Sequence, residues 1–168
     1  LKAVNAWLKP EFKKIQFNDG AFEYEASVII PVKNRVKTIG DAIGSVLNQE
    51  TKFKFNLIVV DNYSTDGTTD MIRSFALKDK RIVHVIPERK DLGIGGCCNE
   101  GVFHEKCGKF AIQLDSDDLY IDNNVIARIV EAFYAQQCAM VVGSYKMVNF
   151  DLEDIPPGII DHKEWTPE

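Results

Sequence analysis

The four cysteines, Cys97, Cys98, Cys107 and Cys138, include no CxxC pair and no zinc-like spacing, so a thiolate metal site is not indicated. Cys97 and Cys98 are neighbours, and a bridge between adjacent residues is strained and rare. All four are read as reduced thiols in a cytosolic compartment. No apolar run approaches the ~20 residues needed to span a bilayer, and no signal peptide is visible. A basic excess is also missing: Lys and Arg number 20 against 25 Asp and Glu, for a net charge of -5. That balance argues against nucleic acid as the main partner, because nothing in excess neutralises phosphates. It leaves open a small anionic ligand, which needs only local positive charge or a metal. Internal repeats, low-complexity stretches and a Walker A pattern are absent, and His84, His104 and His162 form no cluster and are assigned no role.

What is present suits one compact globular domain: 168 residues, 45% hydrophobic and 27% charged. Leu1, Val4, Leu8, Phe12 and Ile15 have helical spacing that Pro10 interrupts, which predicts a helical extension over residues 1–25, with a short helix ending near Lys9, a further turn, and a loop at Asn18-Asp19-Gly20. Apolar strands and one-faced helices then alternate. Ser27 to Pro31 is a strand; Ile39, Ala42, Ile43, Val46 and Leu47 mark a helix, with Thr38 and Asp41 as its capping box. Phe55 to Val60 is a second strand ending at Asp61, followed by a helix that Asp66 can cap. Arg81 to Ile86, Phe110 to Leu114 and Ala139 to Val148 are further strands, with a Gly-started helix over 93–106 and another from Val125 to Phe133. Continuous apolar strands alternating with helices predict an α/β sandwich with a mainly parallel central sheet flanked by helices. Ligands of such sheets sit beyond the carboxyl ends of the strands.

Those ends carry Pro31-Val32-Lys33-Asn34-Arg35, Asp61-Asn62-Tyr63-Ser64-Thr65-Asp66-Gly67-Thr68, Asp91-Leu92-Gly93-Ile94-Gly95-Gly96 and Asp115-Ser116-Asp117-Asp118. Three carboxylates within four positions repel one another, and a hard divalent cation relieves that repulsion; oxygen ligands suit Mg2+ or Mn2+. The bland alternative is a solvated acidic turn capping the next helix. The agreement of the other strand ends favours the metal, held by Asp115 and Asp117. An EF-hand reading fails, because Leu119 and Tyr120 stand where that loop needs an oxygen ligand and a glycine. A nicotinamide reading fails for want of a glycine-rich turn after the first strand, and Cys98 stands where a GxGxxG segment needs its last glycine. Asp61, Asn62 and Ser64 either face a ligand or serve turn and cap chemistry. Gly93, Gly95 and Gly96 either pack a helix tightly on the sheet or let backbone approach phosphate. Lys33 and Arg35 are solvated loop charges or lie beside a diphosphate.

In order and spacing, SVIIPVKNR (27–35), VVDNYSTDGT (59–68), DLGIGGCCNEG (91–101) and QLDSDDLY (113–120) resemble the four signatures of family 2 glycosyltransferases. The resemblance covers about residues 26–148 and implies a Rossmann-like GT-A sandwich that binds a nucleotide-diphospho-sugar donor, most often a UDP-sugar. It implies that Pro31 and Val32 lie against the base and that Asp61 and Asn62 hold base and ribose. It also implies that Gly93 lines the pocket, that Asp115 reaches the ribose or a metal-bound water, and that Asp117 coordinates the metal on the diphosphate. Lys33, Ser64 and Ser116 complete the expected substrate-binding set. Two departures stand out. Asn62 replaces the second acid of the usual Asp-Asp pair, which leans towards uracil or thymine over guanine. Cys97-Cys98 replaces an Ala-Arg pair, removing an arginine for phosphate.

The resemblance further implies inverting transfer to a glycan or lipid-linked acceptor, with an acidic general base well beyond the acidic turn. Asp151, Glu153, Asp154 and Asp161 come too early for that role, so the base is expected beyond Glu168. On this reading residues 26–150 are the donor domain and 151–168 begin an acceptor side, in a longer enzyme located in the cytoplasm or at the inner face of its membrane. The alternatives are a non-catalytic nucleotide-sugar-binding module and a sugar-phosphate nucleotidyltransferase. The latter usually carries a glycine-rich segment with a basic residue after the first strand, which this chain lacks.

Overall fold

The computed structural model describes residues 22–161. The helical extension expected at the amino end therefore lies, except for residues 22–25, outside the described residues. Residues 22–25 form no helix. The chain then runs β1 (Ala26–Val32), α1 (Ile39–Leu47), β2 (Phe55–Asp61), α2 (Thr68–Lys78), β3 (Ile82–Val85), α3 (Ile94–Val102), β4 (Phe110–Gln113), α4 (Val125–Gln136), β5 (Tyr145–Val148) and β6 (Asp154–Ile160).

The first four strands form one sheet in the order β3-β2-β1-β4, with every neighbouring pair parallel. Both central strands, β1 and β2, are buried at every position, as expected for strands covered on both faces. Successive residues alternate between two apolar clusters. Val28, Ile30, Leu57 and Val59 pack with Ile39, Ile43 and Val46 of α1, Ile72 of α2, and Ile126 and Val130 of α4. Ile29, Ile58 and Val60 turn the other way and meet Cys97 of α3. This second face is thin, so α3 lies close to the sheet. A Cβ at Gly101 would stand 2.5 Å from Ile29 Cγ2. Ser27 and Asn56 are also buried but satisfied. The Ser27 hydroxyl donates to Asn56 Oδ1 and accepts from the Gly108 N–H, while Asn56 Nδ2 donates to the Lys106 carbonyl.

Two expectations need correction, and one strand was not foreseen. Thr38 accepts no N–H of the first turn and so makes no capping hydrogen bond; its hydroxyl donates instead to the Ser116 carbonyl at 3.0 Å, a tertiary contact. The last predicted strand shrinks to Tyr145–Val148 and leaves the main sheet, since residues 139–144, which include Gly143, form no ladder. Its partner is β6, antiparallel, which the sequence reading missed because Pro156 and Pro157 argue against a strand. Proline is tolerated on a strand edge whose N–H groups face away from a partner. The β5–β6 pair spans the expected boundary at residue 150. All four cysteines are free, and no helix among the described residues is long and apolar enough to cross a membrane.

Gly101→Ala is expected to destabilise the fold by about 1–3 kcal/mol, the cost of overpacking against a buried strand. Gly44→Ala, in α1 with nothing within 4 Å of the added Cβ, should be neutral or stabilise by up to about 1 kcal/mol. Urea denaturation of both variants checks the pair; equal effects would contradict the close approach of α3.

Candidate functional site

Polar groups from four connections meet at the carboxyl edge of the parallel sheet. The loop after β1 and the loop after β2 are laced together by hydrogen bonds. Asn34 N–H donates to Ser64 Oγ at 2.9 Å, Thr65 N–H to Asn34 Oδ1 at 2.8 Å, Arg35 N–H to Thr68 Oγ1 at 2.8 Å, and Val36 N–H to Asp66 Oδ2 at 3.2 Å. Asp66 does serve the start of α2, but from one residue upstream of the cap position. Its Oδ1 accepts the Thr68 N–H at 3.0 Å, and Gly67 at φ 98° occupies the cap itself. Asn34 (φ 54°) and Tyr63 (φ 57°) both adopt the left-handed region, a conformation that non-glycine residues keep only when the surroundings hold them in it.

Asp61 ends β2 and is completely buried. Its Oδ1 accepts the Ser64 N–H at 3.0 Å, and its Oδ2 accepts from the Thr69 hydroxyl of α2 and lies 3.6 Å from His84 Nε2 of β3. Burial opposes ionisation here. The nearby His84 imidazole and the hydrogen bonds from Thr69 and Ser64 outweigh it and hold the carboxyl well below the usual carboxylate range. Asn62 follows, 7% exposed. Its side-chain N–H donates to the Leu92 carbonyl, just ahead of Gly93, whereas its Oδ1 is buried with no partner. A buried acceptor without a donor costs free energy, and such a group is a natural mark for a ligand N–H. Pro31 and Val32 lie buried at the end of β1, Lys33 is exposed, and Gly93 is exposed immediately before α3.

Beyond β4, Asp115 and Asp117 are exposed and Ser116 is buried between them. Asp115 Oδ1 accepts from Gln113 Nε2 at 3.1 Å, and Asp117 Oδ2 lies 3.5 Å from Arg35 Nε. Partial desolvation, and then the like charges of Asp115 and Asp117, raise the Asp118 carboxyl above its ordinary value. Burial, and then the Asp115 carboxylate, raise the Cys98 thiol, so Cys98 occupies the acidic side of the edge. Among the described residues no group of three or more His, Cys, Asp or Glu is placed to hold an ion. Two exposed carboxylates fit instead an ion whose shell is completed by a ligand's phosphates and water, the usual habit of magnesium. A cleft of about 580 Å³ opens beside them, lined by Asn34, Arg35, Thr38, Asp66, Asp117 and Phe150. Another cleft of about 570 Å³, at the amino ends of the strands near Gln49, Phe55 and Arg81, carries no comparable chemistry.

All ten sequence-predicted binding residues thus lie on or beside one edge. The structure brings Pro31, Val32, Asp61, Asn62, Ser64 and Gly93 to its β1–β3 side, and Asp115, Ser116 and Asp117 to its β4 side. Sequence reasoning gave Thr38 only a capping role, assigned none to His84 and passed over Thr69. The signal for His84 was a polar residue inside an apolar strand; in register with Val59, it shares a sheet face with Asp61. Of the early acids, Glu153 is bonded by Asn149, Asp154 pairs with Lys146 and Asp161 accepts from Ser144.

The sequence pattern of Glycosyl transferase family 2 matches residues 27–166. An uncharacterized glycosyltransferase of Rickettsia bellii is 40% identical over 101 residues, covering 60% of this chain and 14% of that protein. The Escherichia coli enzyme WfgD, a UDP-Glc:alpha-D-GlcNAc-diphosphoundecaprenol beta-1,3-glucosyltransferase, is 31% identical over 127 residues, covering 76% of this chain and 48% of its own length. Among solved structures, S. aureus TarS 1-349 in complex with UDP-GlcNAc superposes with a TM-score of 0.53 at 25% identity, covering 67% of this chain and 32% of that one. The chain therefore spans less than half the length of these proteins.

The depressed Asp61 carboxyl has a pH signature. Its ionised form stabilises the fold fully above the unfolded value of ~3.9, and that contribution is lost as the pH falls below it. Asp61→Asn is expected to cost about 1.5–3 kcal/mol at pH 7, the range for hydrogen bonds to a charged group. The gap to the unmodified protein should narrow steadily below about pH 4. Urea titrations from pH 7 to pH 3 test this, and a constant gap would mean that Asp61 is not the ionised anchor.

Proposed function

The chain belongs to glycosyl transferase family 2, and from that premise we propose that it binds the nucleotide-diphosphate portion of a UDP-sugar along the carboxyl edge of its sheet, as the donor side of an inverting glycosyltransferase. The observation that carries this reading is the division of the edge. A buried, unpartnered acceptor, Asn62 Oδ1, lies on one side, and a pair of exposed carboxylates, Asp115 and Asp117, on the other. A uridine diphosphate has the complementary polarity, with an N3–H donor on its base and negative charge on its phosphates. The UDP-Glc in the name of WfgD and the UDP-GlcNAc bound to TarS 1-349 support the choice of a UDP-sugar, and WfgD supports a glycan or lipid-linked acceptor.

In this proposal Asn62 Oδ1 accepts from the base while Leu92 holds its amide in orientation, and Pro31 and Val32 pack beneath the ring. Asp61 and Ser64 act from behind by holding the turn, and Gly93 leaves room where the chain approaches the ligand. Asp115, Ser116 and Asp117 take the ribose and diphosphate end, with Lys33 adding local positive charge. Asp115 and Asp117 would hold Mg2+ or Mn2+, which supplies neutralisation of the phosphate leaving group. To hold such an ion, Asp117 would have to give up its contact with Arg35. The proposal places the acceptor base outside residues 26–150, on a part that follows the donor domain, in the cytoplasm or at the inner face of a membrane.

UDP should raise the melting temperature only when Mg2+ or Mn2+ is present, by mass action on the folded state. Asp117→Asn should abolish most of that shift, whereas Asp122→Asn, engaged with Arg128, should leave it nearly intact. Equal stabilisation by UDP in excess EDTA would overturn the metal-bridged reading.

Base choice provides a separate check. Asn62→Asp replaces the donor to the Leu92 carbonyl by an oxygen that this carbonyl repels. Once turned from Leu92, the carboxylate accepts both paired donors of guanine, so GDP should improve relative to UDP by roughly 1 kcal/mol, the worth of one hydrogen bond. Calorimetric titration with both nucleotides measures the ratio, and no change would remove residue 62 from the base.

A further inference from the structure

His84 is a half-buried histidine that the donor-binding scheme leaves without a task. Its Nε2 is buried and finds no hydrogen-bond partner within ordinary distance, and it lies 3.6 Å from Asp61 Oδ2. Its backbone is held in the parallel ladder opposite Val59. Val59 and Asp61 lie two residues apart on β2, so their side chains share the face towards which His84 points. The other donors to Asp61 come from different elements, Thr69 from α2 and Ser64 from the following turn. A carboxylate has about four acceptor sites, so Oδ2 retains capacity beside the Thr69 hydroxyl. A fully buried carboxylate is stable only when enough donors replace its lost water.

We propose that His84 is a positioning residue for the nucleotide site: its Nε2–H holds the Asp61 carboxylate, and through it the turn that presents Asn62. The chain of contacts is short. Asp61 Oδ1 accepts the Ser64 N–H at 3.0 Å, and the Tyr63 N–H donates to the Asp61 carbonyl at 2.9 Å. The Asn62 N–H donates to the Val32 carbonyl at 2.9 Å and its side chain to Leu92. Tyr63, at φ 57°, keeps its left-handed conformation only while these bonds hold it. Removing the donor from His84 leaves Oδ2 under-bonded in a buried position and lets Asp61 rotate. The Ser64 amide loses its acceptor, and the unpartnered Oδ1 of Asn62 is no longer held in place.

This inference rests on the donor-binding reading for its functional consequence but not for its structural one, and the test separates the two. His84→Gln places an amide N–H where Nε2 stands; His84→Leu fills similar space without a donor. In the free protein, hydrogen exchange at the Ser64 amide should be about tenfold faster in the leucine variant, the effect of one lost hydrogen bond to a charged group, and close to the unmodified rate in the glutamine variant. UDP affinity should fall by about the same factor in the leucine variant and recover in the glutamine variant. Should the leucine variant fail to fold, His84→Asn, too short to reach Asp61, replaces it with the same expectation. Unchanged Ser64 exchange without the donor, or equal losses in the glutamine and leucine variants, would overturn the proposal and leave His84 as packing. Rescued exchange with no UDP binding by any form would sustain the role of His84 at Asp61 and defeat the donor assignment.

Discussion

An ionised carboxylate with no exposed surface costs several kcal/mol unless donors surround it, and Asp61 is such a group. Its donors come from the turn after β2 and from α2, and His84 of the neighbouring strand β3 stands 3.6 Å from it. Satisfying one charge therefore aligns three elements at the carboxyl edge of the sheet. The left-handed Tyr63, the oriented Asn62 amide and the lacing of Asn34 to Ser64 and Thr65 all follow from the position of that turn. A site built this way is ordered before any ligand arrives, which lowers the entropic cost of binding.

The two sides of the edge are made of different physics. On the side of β2, Asp61 and Asn62 are buried, and their side chains bond to backbone and to the Thr69 hydroxyl. On the side of β4, Asp115 and Asp117 face solvent, and Asp117 is held only by an ion pair with Arg35 whose members are about half exposed, 48% and 49%. Such pairs are worth about 0–1 kcal/mol, little enough for a cation and a diphosphate to displace. The hydroxyl of Thr38, bonded to the Ser116 carbonyl, ties the acidic turn to the start of α1 without occupying either carboxylate. The rigid side suits recognition of a base; the loosely held side suits a charged group that arrives and departs.

The apolar runs made the parallel core legible. Strands buried on both faces are continuous in hydrophobicity, and β1 and β2 end where Val32 and Asp61 end them. The four polar strand ends were legible for the same reason, because topology alone sends them to one edge. Non-local competition was not legible. The Thr38 side chain could have capped α1 by accepting a first-turn N–H, and only the fold brings the Ser116 carbonyl within reach of its hydroxyl. Residues 139–148 read as one strand because composition does not show that β4 takes no further partner, and β6 was hidden by Pro156 and Pro157. His84 carried a signal in its alternation with Val83 and Val85, yet its neighbour Asp61 is 23 residues away in sequence and adjacent only in the sheet.

The central claim is that the nucleotide lies along the carboxyl edge, with its base against Asn62 and its phosphates against Asp117. Amide chemical shifts of the 15N-labelled protein, followed during titration with UDP and Mg2+, test it most directly. The account predicts that Lys33, Asn34, Asn62, Tyr63, Gly93, Ser116 and Asp117 shift together along one saturating curve, while Glu50, Thr51 and Arg81 at the opposite end stay still. Shifts concentrated around Glu50, Thr51 and Arg81, or none along the carboxyl edge at saturating UDP, would contradict it.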